Sequence, residues 1–129
     1  MTRLLLLILF FLCSCQENQV NMSNTTIIPK PVNLIITDGV FNLNEKVELL
    51  YDSIFFNEAS YIKTNFPFKY GKNKNTVHLK KNVGLAVEEY LLNISNNKII
   101  IESSCPKGQM HAIQSLRQLI PNNLKNKFT

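Results

Sequence analysis

With 129 residues, the chain has room for one domain and not two. Its 45% hydrophobic and 18% charged residues are a globular balance, which excludes a disordered or fibrous chain. The formal charge is +5, but the 14 Lys and Arg are spread along the chain, with no like-charge run longer than Lys80-Lys81. A nucleic-acid binder clusters its basic residues on one face, so nucleic acid is not an expected partner. The length also excludes a complete hydrolase barrel, which needs roughly 200 residues or more.

Met1-Thr2-Arg3 is a short positive start, followed by an apolar run from Leu4 to Leu12. A spanning helix needs about 20 apolar residues and a secretory core roughly 7 to 15, so the run reads as an export signal. Leu12-Cys13-Ser14-Cys15 resembles the bacterial lipobox. Residues 1–14 then form a lipoprotein signal peptide, and Cys15 becomes the lipidated N terminus. A plain secretory signal with incidental cysteines is the alternative. The lipobox reading leaves Cys105 as the single free thiol, so no intrachain disulfide forms. It also implies a bacterial cell-envelope location, lipid-anchored and facing either the periplasm or the exterior. Two or three acyl chains hold a protein far better than one. Residues 15–26 are polar and aperiodic, a tether between lipid and domain.

The folded part is expected over residues 27–121. Pro29 and Pro31 keep its start extended. Val32–Thr37 reads as a strand, Asp38-Gly39 as a turn and Val40–Leu43 as the returning strand. Val47–Tyr51 is a third strand. Asp52 or Ser53 would cap a helix over 53–65, with Phe55, Ala59, Ile62 and Phe66 at helical spacing and Pro67 ending it. Tyr70–Asn75 reads as a loop and Thr76–Lys80 as a short strand. Glu89–Ile94 and Lys98–Ser103 make a hairpin about Asn96-Asn97, where Asn tolerates positive φ. A last helix over 108–120 carries the stripe Ala112, Ile113, Leu116, Leu119 and Ile120, and Pro121 ends it. The sum is an α+β domain: a small mixed or antiparallel sheet with two helices packed on one face.

Chemical constellations are thin. His78 and His111 read as surface or partly buried structural residues. Cys105 and His111 match no zinc spacing. Glu88 and Glu89 are adjacent and diverge on a strand, so they do not flank one glycosidic bond. Arg117 reads as a helix-surface or domain-contact residue. The rings of Tyr51, Phe55, Phe56, Tyr61, Phe66, Phe68 and Tyr70 could stack on sugars if exposed, but their setting favours core. No catalytic, substrate-binding or metal-ligating residue is assigned, and no cofactor is expected.

Ile27-Ile28-Pro29-Lys30-Pro31, with Gly39, Phe41 and Leu43, resembles the opening of the small N-terminal domain of glycoside hydrolase family 20, the bacterial β-N-acetylhexosaminidases. Glu89–Ile94, Ile99–Ile101, Gly108 and Gln114-Ser115-Leu116-Arg117-Gln118-Leu119 are similar to the two strands and the Q-T-L-x-Q-L helix that close that domain. Met110-His111-Ala112 departs from the family's aromatic pair and Gly, and Ser115 replaces the common Thr. The resemblance implies a following (β/α)8 catalytic domain. There the substrate's own N-acetyl group attacks the anomeric carbon, beside an adjacent Asp-Glu pair. Residues 122–129 would be the start of the linker to that barrel. The chain would then be a fragment of a lipid-anchored enzyme acting on terminal N-acetylhexosamine of glycans, inactive alone. It would expose an apolar patch where a partner is missing. Two alternatives stand beside this reading: the equivalent domain of family 84, and a stand-alone surface module binding glycan or protein.

Overall fold

The computed structural model describes residues 27–43 and 45–121. The expected signal peptide, Cys15, the tether and the linker start lie outside the described residues. Five strands form one sheet: β1 (Lys46–Tyr51), β2 (Lys69–Tyr70), β3 (Thr76–Lys81), β4 (Tyr90–Ile94) and β5 (Lys98–Ser103). Their order is β2-β1-β3-β5-β4. β1, β2, β3 and β5 run parallel, and β4 returns antiparallel to β5. The sheet is therefore mixed, as expected. Two α-helices complete the α+β fold: α1 (Phe56–Asn65), entered through a 3-10 turn at Ser53–Phe55, and α2 (Pro106–Leu119).

The period-2 alternation of each strand decides which side is buried. The register aligns Leu49 with Val77 and Ile99, and Tyr51 with Leu79 and Ile101. These residues, with Tyr90, Leu92 and Ile94 of β4, point to the helices and join one core with Phe55, Ile62, Ile113 and Leu116. Ile62, Leu79, Ile101 and Ile113 are fully buried. The opposite face carries the row Leu50, His78, Ile100 and Asn93. Among the described residues no helix is long and apolar enough to cross a membrane.

Four local expectations change. First, the strands expected over 32–37 and 40–43 do not form. The apolar alternation of 40–43 is real, since Phe41 and Leu43 pack on the core while Val40 and Asn42 are exposed. It is spent under the ends of the strands and not in a ladder: Val40 N–H donates to the Asn96 side chain in the β4–β5 turn, and Phe41 meets Phe68 edge-on beside β2. Gly39 has φ 147°, and a Cβ there would stand 2.5 Å from Asn96 Oδ1, so the turn requires glycine.

Second, Lys69–Tyr70 pairs with β1 where a loop was expected to begin. Two residues are too few for periodicity to register. Third, Asp52 is the residue before the 3-10 turn but does not cap it with its side chain. Its Oδ2 accepts instead from Lys81 N–H at 2.6 Å, joining the ends of β1 and β3. Fourth, the β4–β5 turn closes through Ser95, whose N–H donates to Lys98 O at 2.8 Å. Among the described non-glycine residues the positive φ belongs to Glu88, and Asn96 and Asn97 do not use it.

Candidate functional site

Cys105 stands at the residue before α2, with Pro106 at the first helical positions, where the missing N–H costs nothing. Its thiol makes no formal cap bond, yet it faces the N–H groups of Gly108 first and Glu88 next. Their positive ends hold the thiol pKa below the ordinary cysteine value. Glu88 has φ 73° and its carboxylate pairs with Lys107, with His111 Nε2 at 3.8 Å. The hydrogen bond and charge of Lys107 keep Glu88 below the usual carboxylate range, and Glu88 in turn raises Lys107.

Glu88 and Glu89 precede β4 and do not lie on it. They diverge nonetheless, because Glu89 Oε2 accepts from Ala86 N–H at 2.8 Å. Cys105 and His111 thus meet around Glu88, but the groups there are satisfied by one another. Among the described residues no group of three or more His, Cys, Asp or Glu is placed to hold a metal. His78 is half-buried on the outer sheet face and His111 is exposed. Arg117 donates to Tyr61 OH at 3.2 Å, beside Gln114, which ties α2 to α1. Among the described residues these groups form no nucleophile–base pair and no pair of facing carboxylates.

The aromatic residues form core. Phe55, Phe66 and Phe68 are buried; Tyr51, Tyr61 and Tyr70 are half-buried. Burial pushes the Tyr70 phenol up, and its hydroxyl donates to Ile62 O at 2.9 Å. Of the seven rings, Phe56 alone is exposed, at 61%. One ring makes no stacking platform for a sugar.

The residues of the closing motifs do have a shared task, which is to seat α2. A Cβ on Gly108 would lie 2.6 Å from Glu89 O, so the helix start touches bare backbone. Gln109 is fully buried; its Oε1 accepts from Ser103 Oγ at 2.6 Å and its Nε2 donates to Ile101 O at 3.2 Å. Tyr90 OH and Ser115 Oγ are 2.7 Å apart, so the Thr-to-Ser departure keeps the hydroxyl that matters. Gln118 clasps the opening motif: Ile28 N–H donates to its Oε1 at 2.8 Å, and its Nε2 donates to Ile28 O at 2.9 Å. The first and last motifs of the sequence, 90 residues apart, thus meet at one side chain.

These contacts make one packing seam between α2, β4, β5 and the opening segment. A sequence profile described as glycosyl hydrolase family 20, domain 2 matches residues 24–129. The chain belongs to that domain family, and the match is to family 20. No curated protein sequence matches. Among solved structures, a β-N-acetylhexosaminidase from Bacteroides fragilis is 26% identical, over 73% of this chain and 21% of that one, with TM-score 0.60. A family 20 exo-β-N-acetylglucosaminidase from Vibrio harveyi in complex with N-acetylglucosamine is 23% identical, over 75% of this chain and 16% of that one, with TM-score 0.62. An inactive mutant of the Vibrio enzyme gives 24% identity, 74% and 16% coverage, and TM-score 0.61. The aligned part is about a fifth or less of each of those chains.

Two outcomes follow from this geometry. Gln118→Ala removes both bonds to Ile28, and hydrogen exchange at the Ile28 amide should rise about tenfold while β3 and β5 keep their protection. Unchanged exchange at Ile28 contradicts the clasp. In a chain carrying Cys13→Ser and Cys15→Ser, alkylation of Cys105 by iodoacetamide should reach half its maximal rate at a pH below the ordinary thiol value of about 8.5. The sign follows from the N–H groups favouring the thiolate; a half-maximum at or above that value contradicts it.

Proposed function

We propose that this chain is the non-catalytic N-terminal domain of a lipid-anchored β-N-acetylhexosaminidase of the bacterial cell envelope. Hydrolysis of terminal N-acetylhexosamine from glycans belongs, on this reading, to a (β/α)8 domain outside these residues. One observation carries the proposal: the residues by which the chain resembles family 20 are used in seating α2 and the opening segment. Gly108, Ser115 and Gln118 touch other parts of the same domain. The similarity of the fold to about a fifth of two bacterial hexosaminidases supports the same division of labour. The lipobox-like Leu12-Cys13-Ser14-Cys15 supports the anchor. A stand-alone glycan-binding role gains little from the seven rings, six of which lie in or against the core.

The purified chain, assayed with a chromogenic N-acetylglucosaminide, should release no product above buffer. The same domain joined in frame to a family 20 barrel should hydrolyse it. Turnover by the chain alone contradicts the proposal. Mass spectrometry after expression in a bacterium should find diacylglycerol and an amide-linked acyl chain on Cys15, both lost in Cys15→Ser.

A further inference from the structure

Of the twelve large apolar side chains exposed among the described residues, six fall between Ile28 and Val40. Val32 is 108% exposed, Ile35 76% and Ile36 66%. Residues 31–37 belong to no helix or strand. The segment is held at both ends, by Gln118 on Ile28 and by Asn96 on Val40. It is therefore a strap tied at both ends, with Val32, Leu34, Ile35 and Ile36 exposed between them. Isolated exposed aliphatics need no explanation, but a run of them does.

We propose that residues 32–36 are the face on which this domain rests against the bilayer that holds its N terminus. The proposal rests on the lipid-anchor reading above. Position in the chain supports it first. Ile27 lies twelve residues after Cys15, a reach of at most about 40 Å when extended, and the strap is the first part of the domain after the tether. Composition supports it next. From Ile27 to Thr37 the chain holds one cation, Lys30, and no acid; Asp38 is the first. Of the five strap residues 32–36, all exposed, four are aliphatic and the fifth is Asn33. A protein partner's core contact is expected to use aromatic and Arg anchors. Aliphatic side chains beside a basic one, on a chain whose formal charge is +4 once Arg3 leaves with residues 1–14, suit the interfacial layer of an anionic bilayer. Insertion would reach only the boundary of headgroups and acyl chains, roughly 5–10 Å deep. Water still reaches the unpaired strap backbone there, whereas the hydrocarbon centre would leave it unsatisfied.

The sequence contains no Trp, so one introduced indole reports depth without background. Ile35→Trp places it on the strap; Phe56→Trp places it on α1 at another exposed site. Each bacterially expressed chain is reconstituted in phosphatidylethanolamine–phosphatidylglycerol vesicles containing brominated lipid. The Ile35→Trp emission should shift to the blue and be quenched about twofold, while Phe56→Trp stays unquenched. Mass spectrometry of the same sample reads the acyl group on Cys15. Acyl mass present without quenching at Ile35→Trp overturns the strap alone and leaves its apolar side chains to the catalytic domain that the resemblance implies. Acyl mass absent overturns the anchor reading and the strap with it. A blue shift without vesicles that grows with protein concentration assigns the strap to a second copy of the chain, and also overturns the proposal.

Discussion

Helix α2 can lie against the start of β4 because residue 108 has no side chain. A Cβ there would stand 2.6 Å from the Glu89 carbonyl oxygen and 3.2 Å from Ser103 Cβ. That approach sets the height of the helix above the sheet. At that height Gln109 can reach both Ser103 and the Ile101 carbonyl, and Ser115 can reach Tyr90. It also brings Gln118 onto both backbone groups of Ile28. The apolar stripe of Ala112, Ile113, Leu116 and Ile120 then closes on Ile99, Ile101 and α1. Polar and apolar contacts agree on one placement, the consistency that gives a sequence one native state.

The buried polar groups show how far this placement is specified. Gln109 is wholly removed from water, and burying a side-chain amide without partners would cost several kcal/mol. Its amide is spent on two bonds that join α2 to β5. Oε2 of Glu58 is the contrary case: it is buried and has no hydrogen-bond partner among the described residues. Glu58 stands in the first turn of α1, where the helix dipole favours a carboxylate. Gln109, Ser115 and Gln118 thus act in packing.

Much of this was legible in the sequence, for local reasons. The stripe from Ala112 to Ile120 is read from helical periodicity alone; Ala112, Ile113 and Leu116 are buried on α2 and Ile120 just past its end, while Leu119 is half-buried. The β4–β5 hairpin is legible because its partners are neighbours in the chain. Non-local contacts were hidden. The alternation of Phe41 and Leu43 looks like a strand but serves to cover the sheet end, which depends on Asn96 and Phe68. The bond from Gln118 to Ile28 spans 90 residues, and only the resemblance singled out both ends together. The positive φ of Glu88 carries no composition signal, since glutamate is not a turn residue; its pairing with Lys107 appears only once the loop meets the helix.

The seating of α2 on bare backbone is tested most directly by the stability of Gly108→Ala in urea. Helix propensity alone favours alanine, by about 1 kcal/mol, at a helical position. The close approach to Glu89 predicts the opposite sign: a net loss of roughly 1–3 kcal/mol, with the Tyr90–Ser115 and Gln118–Ile28 contacts loosened together. A variant as stable as the parent, or more stable, would contradict the account.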